Sequence, residues 1–482
     1  MYINFRIAGV RVKRWWISTL TPILLSACAP APPYSAELLQ QWHQAKADLG
    51  PTFAGSPAWQ AHMGEVETLL DAAGVVDVER YPAPYTRWWA PDQPTAAERA
   101  LSIDGNTLPV ASYWAYSGST PAGGVTAPFL LYKKGMPREQ LRDRIVVFQV
   151  EPVPASMSKM FAIGHEYATD DFAVAAPGIS DDQWYQGNYV TRFGRWDAVL
   201  KDSGAAGAVV VFAMSYERLA GLYTFPLLNL GIVGVPGIYV DQDTGTQVLA
   251  AAAAERSATL TLMAQQAPAT PYFYSAVLPG RNYGTDTVEQ VLLVTHSDGP
   301  NLSQENGTLG IAALIRHYAS MPQSDRPRTL RVLLDPQHYT PGRHTINWYD
   351  AHPGIMNKVV ASVGVEQLGQ REYGIDATGG YGLTGRAEPW QIFVRDDPRL
   401  IQIGIDAIET SGVPRTELRV PEHKGQGGWT GLGEVAIKRD LPGFATLSGM
   451  SGYWGTNAGI ESFDAELATR QLDLLVMLID GL

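Results

Sequence analysis

From Ala36 to about Ala73, apolar residues fall at Leu38, Leu39, Trp42 and Leu49, then at Met63, Val66, Leu69 and Leu70. This three-to-four spacing predicts two helices, each with one buried face. Gly50-Pro51 and Gly55-Ser56-Pro57 divide them, and Gly74 stops the second. Val75 to Arg80 begins a strand. From Ala83 to about Met263 the pattern changes to short β-rich runs broken by Gly and Pro. Within that stretch Arg144 to Phe148 is a buried strand, Trp196 to Phe212 reads as helix, turn and strand, and Val235 to Val240 adds another strand.

After Tyr272 an alternation of strands and helices resumes. Strands are predicted at Val291–Thr295, Thr329–Leu334, Val359–Val365 and Phe444–Leu447, and helices at Gly307–Ala319, Pro398–Thr410 and Ala465–Ile479, the last with Asp464 as N-cap. Continuous apolar strands separated by helices imply an α/β fold with a mostly parallel mixed sheet flanked by helices on both faces. No internal repeat is present.

The chain has 482 residues, 45% hydrophobic and 17% charged, which is enough apolar material for two or three cored domains. A net charge of -12 without long single-sign blocks argues against a nucleic-acid partner, which would require a basic face. At the N-terminus Arg11, Lys13 and Arg14 precede the apolar run Trp15–Leu25, the order of an export signal and too short an apolar stretch to span a bilayer. Leu25-Ser26-Ala27-Cys28 resembles a bacterial lipobox, and Cys28 is the single cysteine. With no second thiol to pair with, Cys28 is read as a lipidation (palmitate) site. Residues 1–28 are thus expected to be a lipoprotein signal with its cysteine, and 29–35, with three prolines, a tether. The expected location is a bacterial cell envelope, bound to the membrane through Cys28. Ala29 after the cysteine favours the outer membrane if the host is Gram-negative.

The chemistry concentrates in Val291 to Gly310, VLLVTHSDGPNLSQENGTLG. An apolar strand ends on His296-Ser297-Asp298, and a loop then carries Glu305-Asn306 into a helix. A strand-end imidazole with a carboxylate from the next loop is a way for an α/β fold to build a metal site at its sheet edge. The next strands end on Leu334-Asp335-Pro336-Gln337-His338 and Val365-Glu366-Gln367-Leu368-Gly369, and Tyr453-Trp454-Gly455-Thr456 follows late in the chain. Taken singly, each residue has a duller reading: a satisfied strand-end histidine, a solvated loop acid, a turn residue.

Together these motifs give residues 36–82 and 272–482 a resemblance to the superfamily of zinc aminopeptidases, glutamate carboxypeptidases and the transferrin receptor, of the phosphorylase/hydrolase-like zinc peptidase fold. Residues 83–271, with DRIVVFQV, WDAVLKDSGAAGAVVVF and VGVPGIYVDQDTG in that order, resemble the protease-associated domain often inserted in exported peptidases. The resemblance implies that His296 is a metal ligand with Asp298 beside it, that Glu305 stands for the aspartate bridging two zinc ions, and that Glu366 is a further ligand. It places Gln337 where the family has its general base, and His338 where it has a second metal carboxylate. An amide cannot accept a proton at neutral pH, so Gln337 breaks the usual pattern, whereas His338 keeps a zinc-competent donor. The late histidine is replaced at Tyr453-Trp454.

On this reading His296, Glu305 and Glu366 form a three-ligand set for one divalent metal, zinc by preference, with His338 offering part of a second site that His344 or His423 would have to complete. Asp298, Gln337 and His338 are the candidate catalytic positions, with Asp335 or His423 as other groups that could handle protons. Trp429, Tyr453 and Trp454 are candidates for substrate contact or for packing. His43, His62, His165, His317 and His352 are read as surface or structural. The functions implied are an exported, lipid-anchored exopeptidase-like hydrolase acting on a peptide or protein, a catalytically silent envelope binding protein of the same fold, or a one-metal acyltransferase resembling glutaminyl cyclases. A serine hydrolase is disfavoured, because Gly449-Met450-Ser451-Gly452 lacks the spacing of a nucleophile elbow.

Overall fold

The computed structural model describes residues 33–150, 165–172, 174, 196–223, 231–285, 287–302, 305–341, 345–421, 431–433, 438–449 and 458–482. Ser35 caps the first helix, Ala36–Asp48, by accepting from Leu38 N, and Ser56 caps the second, Pro57–Ala72, by accepting from Trp59 N. The second helix has proline in its first turn, where a missing N–H costs nothing. Trp59, Met63, Val66 and Leu70 form its buried stripe.

The described residues build a nine-stranded sheet in the order Val76–Pro82, Tyr272–Leu278, Thr329–Asp335, Gln290–His296, Val359–Gly364, Gly443–Ser448, Trp390–Val394, Thr416–Arg419 and His165–Ala168. Its centre, from Thr329–Asp335 to Gly443–Ser448, is parallel, and antiparallel strands lie on both sides. The strands Gln290–His296 and Thr329–Asp335 are buried along their whole length, as expected where helices cover both faces of parallel strands. Alternate side chains serve two cores. Val291 and Leu293 pack with the helices Gly307–Ala319 and Ala465–Asp480, while Leu292 and Val294 pack with Trp348, Tyr349 and Phe273. Asp464 caps the last helix by accepting from Leu467 N, as the sequence predicts.

An eight-stranded sheet is drawn wholly from Arg99 to Leu262, inside the stretch the sequence sets apart. Helix Gln242–Ala253, which the sequence reading passes over, packs Val248 and Ala251 into its core. The same stretch also supplies His165–Ala168, the last strand of the nine-stranded sheet, through its pairing with Thr416–Arg419. Pro33–Leu482 pack as one compact unit. Tyr339, from the loop after Thr329–Asp335, lies in the core of the eight-stranded sheet with Phe53 and Tyr223, the two tyrosine rings 5.4 Å apart.

Candidate functional site

The parallel strands deliver the candidate residues to one edge. His296 and Asp335 end neighbouring strands in register with each other, and Glu366 follows the next strand by two residues. Ser297 continues the ladder by donating its N–H to Asp335 O at 2.7 Å, and its hydroxyl accepts from Trp59 Nε1 at 3.2 Å. The carboxyl ends of parallel strands are where open α/β sheets place their binding crevices. Here the side chains at that edge are buried: His296, Asp298, Glu305, His338 and Glu366 are each at most 4% exposed.

Two close approaches fix the loop between His296 and the following helix. Gly299 pairs with Thr52 through main-chain bonds of 3.0 and 3.2 Å, and a Cβ on it would fall 1.9 Å from Glu305 Cγ. A Cβ on Gly307 would meet Thr295 Oγ1 at 2.0 Å and Val365 O at 2.1 Å. Between them, Asn306 uses both ends of its amide on Leu368, donating to the carbonyl at 2.6 Å and accepting from the N–H at 2.9 Å. That bracket holds the start of helix Gly307–Ala319 against the loop carrying Glu366.

Several polar atoms of the pocket are engaged with the protein itself. Asp298 accepts from His338 N through one oxygen and from Tyr339 N through the other, each at 2.9 Å. Glu305 Oε1 and His338 Nδ1 share a hydrogen bond of 2.5 Å. The His338 ring stacks on His296 with centroids 3.9 Å apart and planes 9° from parallel. Asp335 Oδ2 lies 3.8 Å from His296 Nδ1, and Asp335 Oδ1 accepts from Gln337 N at 2.9 Å. Glu366 Oε1 accepts from Leu432 N at 2.9 Å, while Thr446 Oγ1 takes the Glu366 N–H at 3.0 Å. Gln337 is the partly exposed member of the set, and its Oε1 is buried without a hydrogen-bond partner among the described residues.

Burial raises the Asp298 carboxyl well above the ordinary carboxylate range, although the Tyr339 and His338 N–H groups work in the other direction. Burial also raises Glu305, helped by the charges of Asp298 and Glu366 and opposed by Lys46. Lys46, 1% exposed, donates to Thr52 Oγ1 at 3.0 Å. Burial lowers its ammonium to about 8, against the pull of Glu305 and Asp298.

The expected ligands His296, Glu305, Glu366 and His338 therefore share one pocket but do not assemble as a metal cage. Among the described residues no group of three or more His, Cys, Asp or Glu side chains is arranged to hold a metal ion. One oxygen each of Glu305 and Glu366 is hydrogen-bonded, to His338 and to a main-chain N–H, and both oxygens of Asp298 accept from main-chain N–H groups. As placed, these side chains do not form the zinc centre that the resemblance implies. His43 and His62, expected to be surface or structural, are both buried. His43 stacks on Phe463, and His62 Nε2 lies 2.9 Å from Thr308 Oγ1. Cys28, His344, His423, Trp429, Tyr453 and Trp454 lie outside the described residues.

Lys46 was missed by sequence reasoning, yet it left a signal. It follows Leu39 and His43 at helical spacing, and all three form the buried face of the first helix. A lysine in that register is rarely buried without a charge partner.

No family model and no curated protein matches this sequence. Solved structures do. A zinc aminopeptidase from Bacillus subtilis matches with a TM-score of 0.63 and 13% identity, covering 93% of this chain and 95% of that one. A peptidase M28 precursor from Shewanella amazonensis SB2B matches with a TM-score of 0.62 and 16% identity over 92% and 94%. An aminopeptidase from Aneurinibacillus sp. strain AM-1 matches with 0.58 and 13% over 92% and 93%. At such identities the likeness is one of fold, and this chain has the mixed α/β fold of the zinc aminopeptidases.

Proposed function

We propose that this chain is a catalytically silent representative of the aminopeptidase fold, an envelope protein that binds a peptide or protein segment without cleaving it. One observation carries the reading: Glu305 Oε1 is bonded to His338 Nδ1, Glu366 Oε1 to Leu432 N, and both oxygens of Asp298 to main-chain N–H groups. Gln337 supports it, because an amide stands where a hydrolase of this type needs a proton acceptor. A peptide as ligand follows from the fold, whose solved examples include aminopeptidases. Export and anchoring rest on Arg11 to Leu25 and on Cys28.

The competing reading is a one-metal hydrolase. It is favoured by the electrostatic coupling of Glu305 to Glu366, Asp298 and Asp335, which keeps four carboxylates around the strand ends. Elemental analysis of the purified mature protein, run beside cleavage of an aminoacyl and peptide library with and without added zinc, separates the two. Substoichiometric metal and no cleavage are expected. One metal per chain, with turnover that His296→Ala abolishes, would establish the hydrolase instead.

A further inference from the structure

Among the described residues, every buried member of the core under the eight-stranded sheet lies between Trp88 and Leu262 except Tyr339. Its ring is 1% exposed and meets Phe53 at 6.1 Å and Tyr223 at 5.4 Å, both close to edge-on. The Phe53 and Tyr223 rings lie 4.2 Å apart, so all three are within aromatic contact of one another. Tyr85 closes this cluster from behind by donating its hydroxyl to Ala54 O at 2.7 Å, next to Phe53. The main chain of the same tyrosine belongs to the pocket. Tyr339 N donates to one oxygen of Asp298 while His338 N donates to the other. The His338 ring lies 4.8 Å from the Tyr339 ring, stacks on His296 and shares its hydrogen bond with Glu305. Tyr339 therefore has its side chain in one core and its amide in the acid cluster of the other sheet.

We infer that Tyr339 is a positioning residue for the pocket: its ring, gripped by Phe53 and Tyr223, sets the main-chain path that aims two amides at Asp298 and turns His338 toward Glu305 and His296. The inference goes beyond the silent reading and holds equally for a hydrolase, since it concerns how the pocket is assembled. An aromatic ring in a close-packed core keeps one orientation, and the peptide unit beside it inherits that restriction. Hydrogen bonds weaken steeply as their angle departs from linear, so the paired bonds to Asp298 require the peptide planes on either side of Tyr339 to stay where the ring holds them. Replacing the ring by a methyl group leaves a cavity that the surrounding core fills only in part, and it frees the loop to move. Because Tyr223 comes from the eight-stranded module, that module is then a working part of the pocket.

The test uses the full mature chain, with isotope-labelled histidine for magnetic resonance, as wild type, Tyr339→Phe, Tyr339→Ala and Tyr223→Leu. Two signals are read besides melting temperature: the low-field proton resonance of the bond between His338 and Glu305, and hydrogen exchange at the His338 amide relative to the amides of strand Gln290–His296 in the same protein. Tyr339→Phe keeps the ring and should keep both signals. Tyr339→Ala should lose the resonance, and its His338 amide should exchange at least about 10-fold faster relative to the strand, the mark of a local opening. Tyr223→Leu, which leaves the pocket loop untouched, should shift both signals the same way, and it decides the matter if Tyr339→Ala does not fold. A variant that is merely less stable, with the resonance and the exchange ratio of wild type, would overturn the inference, because packing alone gives that result. Loss of both signals in Tyr339→Phe would overturn it too, since the ring would then not be what positions the loop. If the shared proton of wild type exchanges too fast to be seen, the exchange ratio decides alone. Peptide cleavage by wild type would instead overturn the silent reading and leave the role of Tyr339 standing.

Discussion

Asn306→Ala tests whether the pocket is held together from below by the amide bracket. Asn306 is fully buried, and its side chain makes both of the hydrogen bonds that a neighbouring strand would have made to Leu368, at 2.6 and 2.9 Å. Alanine removes two bonds worth about 1 kcal/mol each and leaves the N–H and C=O of a buried residue without these partners, so a loss of about 2–4 kcal/mol is expected. In a chain of this size that is a fall of about 2–4 °C in melting temperature, and urea unfolding should show the same loss. Asn306→Asp sharpens the test, because it keeps the acceptor for Leu368 N but turns a carboxylate toward Leu368 O. Protonation restores the donor, so the folded state raises the pKa of the new carboxyl. Stability relative to wild type should then be near normal below about pH 4 and be lost as the pH rises through the raised value. An Asn306→Ala protein within about 0.5 kcal/mol of wild type would refute the reasoning, since that is the range of substitutions that touch nothing important.

Away from the pocket, Asp197 is 3% exposed, and burial pushes its carboxyl up to about 7 against a hydrogen bond from Trp114. Its stabilising contribution is present below the ordinary carboxylate range and lost as the pH rises through 7. Asp197→Asn should therefore stabilise the protein by about 1–3 kcal/mol at pH 8 and by almost nothing at pH 4; a gain independent of pH in urea unfolding would contradict this. At the N-terminus, Cys28→Ser should abolish incorporation of labelled palmitate and move the protein from the membrane to the soluble fraction of the expressing bacterium. A wild-type chain that incorporates no label would remove the anchor.

The parts of the fold legible in the sequence are those whose signal is local and two-sided. Gln290–His296 and Thr329–Asp335 are apolar on both faces because both faces are covered, and helix Gly307–Ala319 lies at its expected bounds. Trp390–Val394 and Thr416–Arg419 were not legible. They are five and four residues long, and they find their places through partners as distant as Gly443–Ser448 and His165–Ala168. No window of sequence contains that pairing, and it decides where the sheet ends. In the pocket, the strand-end logic brought His296, Asp298, Glu305, His338 and Glu366 to one edge, yet it could not say which of their atoms face one another. That depends on the main-chain N–H groups of His338, Tyr339 and Leu432, which have no identity in a motif.

Lys46 shows what a reading by motif omits. A pattern of His, Asp and Glu counts donors, and by that count this pocket still looks able to bind a metal. The same residues carry charge, and a buried group of carboxylates must be balanced by a cation, by protons or by hydrogen bonds before the chain can fold around it. Here Asp298 is met by two main-chain donors and Glu305 by His338, and both are coupled electrostatically to the buried ammonium of Lys46, on a helix more than 250 residues earlier in the chain. Once those partners are in place, a divalent ion at Asp298 would have to displace bonds already made. The acids at these strand ends thus have partners that no count of metal donors includes.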